Sequence, residues 1–598
     1  MKKNKYLTLM FMTGLTVSVL AVPARRITKT VCQRDGTTLQ IVLGGDEHFR
    51  YYTTTDGVPL ACLPDSNYYY GRLVADSLQA DRSRLAHELA MRTADEANYA
   101  VSLKEEFLEY TESVRTNRIA KRFTQVGNPT VKTRALSSFG GQVLQTPMTG
   151  SKKGLVILVN FQDVAMKISA PQQTFYSLMN EKGYKGYGMY GSVRDYFLAQ
   201  SYGAFDFSFD VVGPVTVSQK MAYYGANSGG ADIRPEVMVR EACKLVDAEV
   251  NFADYDWNGD GEAEQIFVIY AGYAESNGAS SETIWPHQFQ VTDSNGGALT
   301  LDHTVVKKYA CSSELAGVSG ATVTGIGTIC HEFSHCFGLP DFYDTRGSNF
   351  GMDVWSLMDY GCYNNNGYTP VGYTAYERMF CGWLEPEVLY MQQPVKNMPA
   401  LSDEPVAYVI QNEANKSEYY MLENRQKKGW DSAMPGHGLM VVHVDYNESL
   451  WNNNSVNTSA SRQRMTIIPA DNSLKRDDAH EYAGDLYPGT ANNQHLTNET
   501  VPAATLNSYN VDGSRLMNKP IYNIQEEEGL ISFDYMRSYS TGIDKLEGKE
   551  SLLDSPFTVY RTDGSYLGRF WDDSWKKHVK SGIYLLKSGQ KTQKFVVE

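Results

Sequence analysis

The stretch Thr328-Ile-Cys-His-Glu-Phe-Ser-His-Cys-Phe-Gly-Leu-Pro-Asp341 decides how the rest of the chain is interpreted. His331 and His335 are four residues apart, so on a helix both imidazoles lie on one face and can reach the same metal ion. Glu332 can face a water on that metal without being a ligand. The other helix face carries apolar residues at helical spacing, namely Ile329, Phe333, Cys336 and Phe337. The pattern therefore predicts a buried metal-binding helix with a carboxylate beside the metal.

The residues after the second histidine predict the end of this helix and a third ligand. Gly338 can turn the chain through a positive φ, and Pro340 excludes further helix. Asp341 then arrives near the same metal ion and is the predicted third ligand. Asp344 is the alternative third ligand, three residues further on.

This motif resembles the metzincin zinc signature, with aspartate in the place where most metzincins carry a third histidine. Met358, seventeen residues after Asp341, belongs to the stretch Ser356-Leu-Met-Asp-Tyr360, which resembles the metzincin Met-turn. The aspartate variant is similar to the immune inhibitor A-like metalloproteases, peptidase family M-six. The resemblance covers roughly residues 30–535 and implies an α+β fold: a metzincin-like zinc protease domain, with a mixed sheet, an active-site helix and a Met-turn, followed by β-rich domains.

The resemblance also implies roles for particular residues. His331, His335 and Asp341 would bind zinc, Glu332 would be the general base, and Met358 would pack beneath the metal. Tyr360 would contact the zinc or the oxyanion, or it would be only a packed turn residue. A gluzincin pattern fails because its best-placed acid, Glu377, precedes Arg-Met-Phe and has no aspartate three residues later.

A second metal site is predicted in the stretch Asp256-Trp-Asn-Gly-Asp-Gly-Glu-Ala-Glu264. Oxygen side chains at alternating positions around glycine are typical of calcium loops, and the candidates are Asp256, Asn258, Asp260, Glu262 and Glu264. Phe267 stands where an EF-hand would require a glutamate, so the loop is not an EF-hand. The alternative is an acidic turn that precedes a strand.

Composition and the N-terminus predict an exported protein. The 598 residues are 42% hydrophobic and 21% charged, which excludes wholesale disorder, and the net charge of −14 argues against nucleic acid as a partner. A basic start and an apolar stretch from Leu7 to Val22 are typical of a signal peptide, the alternative being a buried helix. No later run is apolar enough for a membrane anchor in the mature chain. Eight cysteines are too few for a disulfide scaffold, and most are expected to be buried thiols.

Changes in pattern along the chain divide it into five regions. We expect residues 1–24 to be a signal peptide, 25–136 a propeptide-like region, 150–388 the zinc metalloprotease catalytic domain, 389–537 a β-rich companion domain and 545–598 a C-terminal β-module. The last of these resembles the sorting modules of type IX secretion, which would contact the secretion machinery, or it is an accessory β-domain. A helix is predicted from Asp81 to Arg122, where Ala, Leu, Glu and Arg predominate.

The sequence thus predicts a secreted, zinc-dependent endopeptidase, made as a zymogen, that hydrolyses extracellular proteins or peptides. Calcium is a predicted second cofactor. Cys32 or Cys62 would be a conceivable zinc ligand in a latent form, because thiolates bind zinc well. The alternative is a noncatalytic surface-binding or adhesin protein on a metalloprotease fold. The carboxylate of Glu332 argues against that alternative, because a binding module has no physical need for it beside the ligands.

Overall fold

The computed structural model describes most of the chain, in two compact units, Met1–Arg537 and Ser538–Glu598. The described residues of the first unit are 21–74, 77–123, 133–135, 141–228, 231–291, 297–345, 349–459 and 461–536. Those of the second unit are 557–562, 564–570, 573–580, 582–588 and 591–597.

The first unit begins with an antiparallel meander of six strands and a long helix. Their bounds are β1 Thr28–Cys32, β2 Thr38–Asp46, β3 Phe49–Thr54, β4 Pro59–Cys62, β5 Tyr68–Val74, β6 Ser77–Leu85 and α1 Ala94–Phe123. The prediction of helix from Asp81 is wrong for its first part, because β6 pairs with β5 and extends to Leu85. Pairing with a neighbouring strand overrides the local helix propensity of this segment.

The next region is built on a mixed five-stranded sheet. Its elements are β7 Thr133–Ala135, β8 Gln142–Leu144, β9 Gly150–Asn160, α2 Pro171–Asn180, α3 Val193–Gln200, β10 Phe205–Thr216, α4 Met221–Gly225, β11 Asn227–Ser228, β12 Ala231–Asp232, α5 Pro235–Val246, β13 Glu262–Ala263, β14 Ile266–Tyr273, β15 His287–Gln290, β16 Leu299–Leu301, β17 Thr304–Val306, β18 Lys308–Leu315, α6 Ile326–Phe337 and α7 Ala375–Cys381. The sheet order is β10-β9-β14-β18-β15, and only β15 runs antiparallel to its neighbour.

Helix α6 carries the His-Glu-x-x-His stretch and packs against this sheet through aromatic rings. The ring of Phe333 lies 4.7 Å from that of Phe267 on β14 and 5.2 Å from that of Phe207 on β10. The ring of Phe337 lies 5.4 Å from that of Phe197 on α3. Since these large side chains are buried, they fix the helix against the sheet. The opposite face of the helix, which carries both histidines, therefore points away from the sheet.

The rest of the first unit is β-rich. It contains β19 Glu387–Val388, β20 Gln393–Met398, β21 Tyr408–Gln411, β22 Glu418–Arg425, β23 Gly438–Asp445, α8 Glu448–Asn452, β24 Met465–Ile467, α9 Ala479–Asp485, β25 Ile521–Glu527 and β26 Leu530–Tyr535. The strands form one sheet in the order β19-β21-β22-β23-β24 and another in the order β20-β26-β25. This architecture confirms the predicted mixed α+β fold with β-rich regions.

The second unit is a small antiparallel sheet. Its strands, β27 Phe557–Arg561, β28 Tyr566–Phe570, β29 Gly582–Ser588 and β30 Lys591–Val597, are ordered β28-β27-β29-β30. Phe557, Val559 and Trp575 form the centre of its core.

All eight cysteines are free thiols, and only Cys32 and Cys62 are exposed. Their sulfurs lie near the backbone carbonyls of Gln33 and Leu63, and neither cysteine belongs to the group of candidate metal ligands described below. Among the described residues, we find no helix with the length and apolarity needed to cross a membrane.

Candidate metal centre and cleft

Three ligand atoms converge at the C-terminal half of α6. The Nε2 atoms of His331 and His335 are 2.9 Å apart. Oδ1 of Asp341 lies 3.1 Å from the first nitrogen and 3.2 Å from the second. Tetrahedral zinc with ligands at about 2.0 Å requires about 3.3 Å between them. The three side chains are fully buried, and their spacing fits a single zinc ion.

Backbone carbonyls hold both imidazoles in the tautomer that a metal requires. Nδ1 of His331 lies 2.7 Å from the Leu357 carbonyl oxygen, and Nδ1 of His335 lies 2.8 Å from that of Leu339. Since a carbonyl only accepts, each Nδ1 is the donor, and a neutral ring then keeps a lone pair on Nε2. Such a carbonyl contact also fixes the ring orientation of a ligating histidine.

Asp341, the candidate third ligand, is positioned by a residue 113 positions away in sequence. The Asn454 amide donates to Oδ2 of Asp341 at 2.6 Å and accepts from the Asp341 backbone N–H at 2.7 Å. Oδ1 of Asp341 is buried without a hydrogen-bond donor, as expected for an atom that binds a cation. Asp344 lies outside this group. Its Oδ2 accepts a hydrogen bond of 2.8 Å from the backbone N–H of Asn349.

Two glycines allow the helix to reach this geometry. Gly338 ends α6 with a φ of 105°, which brings the chain back toward the histidines. Gly327 lies so close to the segment after the Met-turn that a Cβ would be 1.8 Å from the Cys362 carbonyl oxygen. A side chain at that position would push the helix away from the turn.

Glu332 is fully buried next to the candidate ligands. Its Oε1 accepts a hydrogen bond of 3.0 Å from the backbone N–H of Val22, and its Oε2 is buried without a partner. An unsatisfied carboxylate oxygen is costly to bury, so Glu332 costs the fold stability at this position.

Burial and mutual interaction shift the pKa values of the site residues. Burial, followed by the negative charge of Asp341, raises the pKa of Glu332 well above its ordinary value. Burial opposes ionisation of Asp341, but the two histidines outweigh it and hold the pKa of that carboxyl below its usual range. Burial and the neighbouring His335 lower the pKa of His331. The protein therefore favours a neutral His331 beside a carboxylate, which is the protonation that a metal site needs.

The predicted Met-turn lies directly beneath His331. Met358 is fully buried, and its carbonyl accepts from the Phe342 amide at 2.8 Å. Ser356 donates to Oε1 of Glu377 at 2.6 Å. Glu377 thus anchors the turn. It also forms a capping box with Thr374 at the start of α7, so the carboxylate of Glu377 has a structural role.

A segment from the beginning of the chain occupies the cleft over these groups. Aromatic side chains donate to four successive carbonyls: Tyr343 to Ala21 at 2.8 Å, Trp285 to Val22 at 2.9 Å, Tyr363 to Pro23 at 2.8 Å and Tyr360 to Ala24 at 3.1 Å. The backbone N–H of Ala24 also donates to Gly45 of β2 at 2.9 Å. Residues 21–24 of the chain itself thus lie across the cleft, and the hydroxyl of Tyr360 contacts that segment.

Sequence reasoning missed this segment and Asn454. The apolar and small side chains up to Ala24 predict a signal peptide instead. Asn454 lies in an asparagine-rich stretch with no motif. Both contacts depend on chain folding over hundreds of residues, and we see no sequence signal that would have revealed them.

The structure brings together only part of the predicted calcium loop. Asp256, Asp260 and Glu264 can offer ligand atoms within 4.8 Å of one another, and Asn258 donates to Glu264. Glu262 is directed elsewhere, because its Oε1 lies 3.1 Å from Nζ of Lys307. Burial, and then the charges of Asp256 and Asp260, raise the pKa of Glu264 to about 7. However, Asp256 already accepts three backbone N–H groups, so the loop is also satisfied as a turn.

The cleft holds a segment of backbone beside two imidazoles, a buried aspartate and an adjacent glutamate. This arrangement is typical of the active site of a metal-dependent peptidase. The comparisons agree with this class. Residues 142–382 match the model of the immune inhibitor A peptidase M6 catalytic domain. The chain therefore carries a peptidase M6 domain, and the family implies a metal.

Two relatives support the same class. The chain is 28% identical over 243 residues to the pre-pro-metalloprotease PrtV of Vibrio cholerae serotype O1, covering 34% of this chain and 25% of that protein. It is 28% identical over 217 residues to immune inhibitor A of Bacillus thuringiensis subsp. alesti, covering 31% of each. The match therefore spans only about a quarter to a third of either relative.

Proposed function

We propose that the chain is the latent form of an exported, zinc-dependent endopeptidase of metzincin-like fold. The observation that carries this proposal is the convergence of His331, His335 and Asp341 beside a buried Glu332 that already contacts a peptide amide. The peptidase M6 match over residues 142–382 supports it. The substrates would be extracellular proteins or peptides.

His331, His335 and Asp341 would hold the zinc ion, which when bound polarises a carbonyl and makes water more acidic. Glu332 would take a proton from the attacking water through its free Oε2 and return it to the departing amine. Tyr360 would become available to the substrate oxyanion once its hydroxyl is released from Ala24. Met358 would only support the floor of the site.

Latency would result from the N-terminal region, since residues 21–26 lie where a substrate would bind. The four carbonyl contacts and the Val22 bond to Glu332 hold this segment in the cleft. A substrate can enter only when the segment leaves. The Cys32 or Cys62 alternative has no support in the geometry, because both thiols are exposed on the meander.

The proposal is tested by activity and metal content after the N-terminal region has been released. The wild-type enzyme should hydrolyse unfolded casein, lose activity in a chelator and recover it with zinc. Glu332→Gln, which keeps the size of the side chain, should bind zinc but lose turnover by about 100-fold or more. A lack of hydrolysis by both proteins would favour a noncatalytic binding protein, whereas equal hydrolysis by both would contradict the role of Glu332.

Two further parts of the proposal concern calcium and export. Calcium would bind at Asp256, Asp260 and Glu264, and would raise the melting temperature of wild type but not of Asp260→Ala. The second unit would be a sorting module for type IX secretion. Removal of residues 545–598 should then leave the protein inside the cell envelope, whereas an accessory domain could be deleted without that effect.

A further inference from the structure

We propose that Asp353 and Tyr360 form a specificity subsite that accepts a basic side chain of the substrate, arginine or lysine. This inference rests on the proposed peptidase function and adds a substrate class to it. In the latent form, Arg26 of the chain itself occupies the subsite.

The contacts of Arg26 show what the subsite recognises. Its Nη1 donates to Oδ2 of Asp353 at 2.8 Å, and the Asp353 side chain is completely buried. The guanidinium carbon lies 3.5 Å from the centre of the Tyr360 ring. A buried carboxylate together with a stacked aromatic ring is a combination that binds a cation. Asp477 lies 3.3 Å from Nη1 but is 62% exposed, so its contribution is screened by solvent.

The subsite is built before any substrate arrives. Asp353 has a φ of 44°, and its backbone N–H and that of Met352 both donate to Oδ2 of Asp359 at 2.8 Å. Tyr482 donates to Oδ1 of Asp353 at 2.8 Å. These contacts fix the carboxylate, so little reorganisation is needed to bind a cation.

When the N-terminal segment leaves, Oδ2 of Asp353 loses its 2.8 Å partner. Among the described residues, the cation that then remains near it is Arg476, whose Nε lies 3.5 Å from this oxygen. That distance is at the limit of a hydrogen bond. Oδ2 therefore keeps the capacity to accept a strong hydrogen bond from a substrate.

The neighbouring Arg25 is not held in the same way. Its guanidinium donates to the exposed side chain of Asn366 and lies 5.3 Å from the Tyr363 ring centre. Arg26 is four residues beyond Val22, whose amide contacts Glu332. Tyr360 contacts both Arg26 and the carbonyl of Ala24, two residues beyond Val22, so the subsite lies along the groove within a few residues of the scissile bond. We therefore expect selectivity at one fixed substrate position on one side of that bond.

The test is a digest of a peptide library with the enzyme that forms when the full chain is processed. Wild type should enrich arginine and lysine at one fixed position. Asp353→Asn should abolish this enrichment and lower kcat/KM about 30-fold or more for substrates with the basic residue, through KM. The loss should be smaller for substrates without that residue. Asparagine suits the variant because it tolerates a positive φ and can still accept from Tyr482. Asp477→Asn is the matched control and should keep the preference.

A pair of peptides tests the subsite without altering the protein. A peptide with the sequence of residues 21–26 should inhibit wild type, and the same peptide with Arg26→Ala should inhibit about 30-fold more weakly. The peptide with Arg25→Ala should be nearly as potent as the parent. Equal inhibition by all three, no basic preference in the library, or an unchanged preference in Asp353→Asn would overturn the inference. A complete lack of peptide hydrolysis by wild type would instead contradict the proposed function.

Discussion

The backbone N–H of Val22 donates a 3.0 Å hydrogen bond to Oε1 of Glu332, which lies 310 residues further along the chain. This bond places a peptide amide against the carboxylate that is predicted to act on a substrate. Because Glu332 is fully buried, the segment must leave before water and substrate can both reach its second oxygen. One contact therefore connects the proposed chemistry with the proposed latency.

Arg26 should contribute more to latency than Arg25. In the full, uncleaved chain, Arg26→Ala removes a buried ion pair and a stacking contact, whereas Arg25→Ala removes an exposed hydrogen bond. The first variant should raise residual hydrolysis of a fluorogenic peptide at least about tenfold, and the second should change it little. If both variants stay as inactive as wild type, Arg26 does not hold the segment in place.

The first residue of the latent protein should be Val22, whose nitrogen would then face Glu332 as the α-amino group, while the contact of Tyr343 with Ala21 would be lost and the other three carbonyl contacts would remain. Signal peptidases cut after small residues, and Val19 and Ala21 satisfy this preference at the third and first positions before the cut. The predicted boundary at residue 24 would instead remove Val22 and Pro23 from the cleft. Mass spectrometry of the exported latent form measures this directly. A chain that begins at Arg25 would show that Val22 cannot block Glu332 in the exported protein.

Asn454 should control metal affinity without binding the metal. Asn454→Ala would free Asp341 from both of its hydrogen bonds, and loss of such a supporting contact typically weakens metal binding about 10- to 100-fold. Titration with a competing chelator measures the change. Asn453→Ala is the control, because that neighbouring side chain is partly exposed and hydrogen-bonds to Ser449, and it should leave the affinity unchanged. Equal zinc affinity of Asn454→Ala and wild type would contradict this role.

The local parts of this protein could be predicted from its sequence, and the distant contacts could not. The buried part of β9, from Leu155 to Val159, follows from an apolar run, and the helix Val193–Gln200 from its local pattern, but the start of β9 at Gly150 does not. Similarly, the i, i+4 spacing places His331 and His335 together on α6. The position of Asn454 and the occupation of the cleft by Val22 depend on tertiary packing, which leaves no periodic pattern.

The β6 segment shows how local preference misleads. Ser77–Leu85 is rich in residues that also suit a helix, but its pairing with β5 decides its structure. Helix α1 begins only at Ala94, after the strand and a short turn. A pattern within the segment cannot reveal the presence of a partner strand.

Asp485 should make stability depend on pH. Burial raises the pKa of its carboxyl to about 8 from 3.8, although the Trp355 indole N–H opposes the shift. Because the folded state holds the proton more tightly, the stabilisation is complete below about pH 4 and is lost as pH rises toward 8. As the pH rises from about 5 to about 9, the free energy of unfolding of Asp485→Asn should therefore fall less than that of wild type.

Thermal melts at several pH values, in a Glu332→Gln background that prevents self-digestion, measure this difference. Asp254→Asn, at an exposed carboxylate, should follow the wild-type profile. Parallel profiles for Asp485→Asn and wild type would show that Asp485 does not titrate in this range.

The central claim is that Asp341 binds the metal and Glu332 acts on the water. The most direct test of this claim is to measure zinc content and turnover in the same preparations. We expect one zinc ion per wild-type chain, retained by Glu332→Gln without turnover. Asp341→Ala should lose both zinc and turnover while its circular dichroism stays that of wild type. Retention of zinc and activity by Asp341→Ala, with their loss in Asp344→Ala, would contradict the ligand assignment.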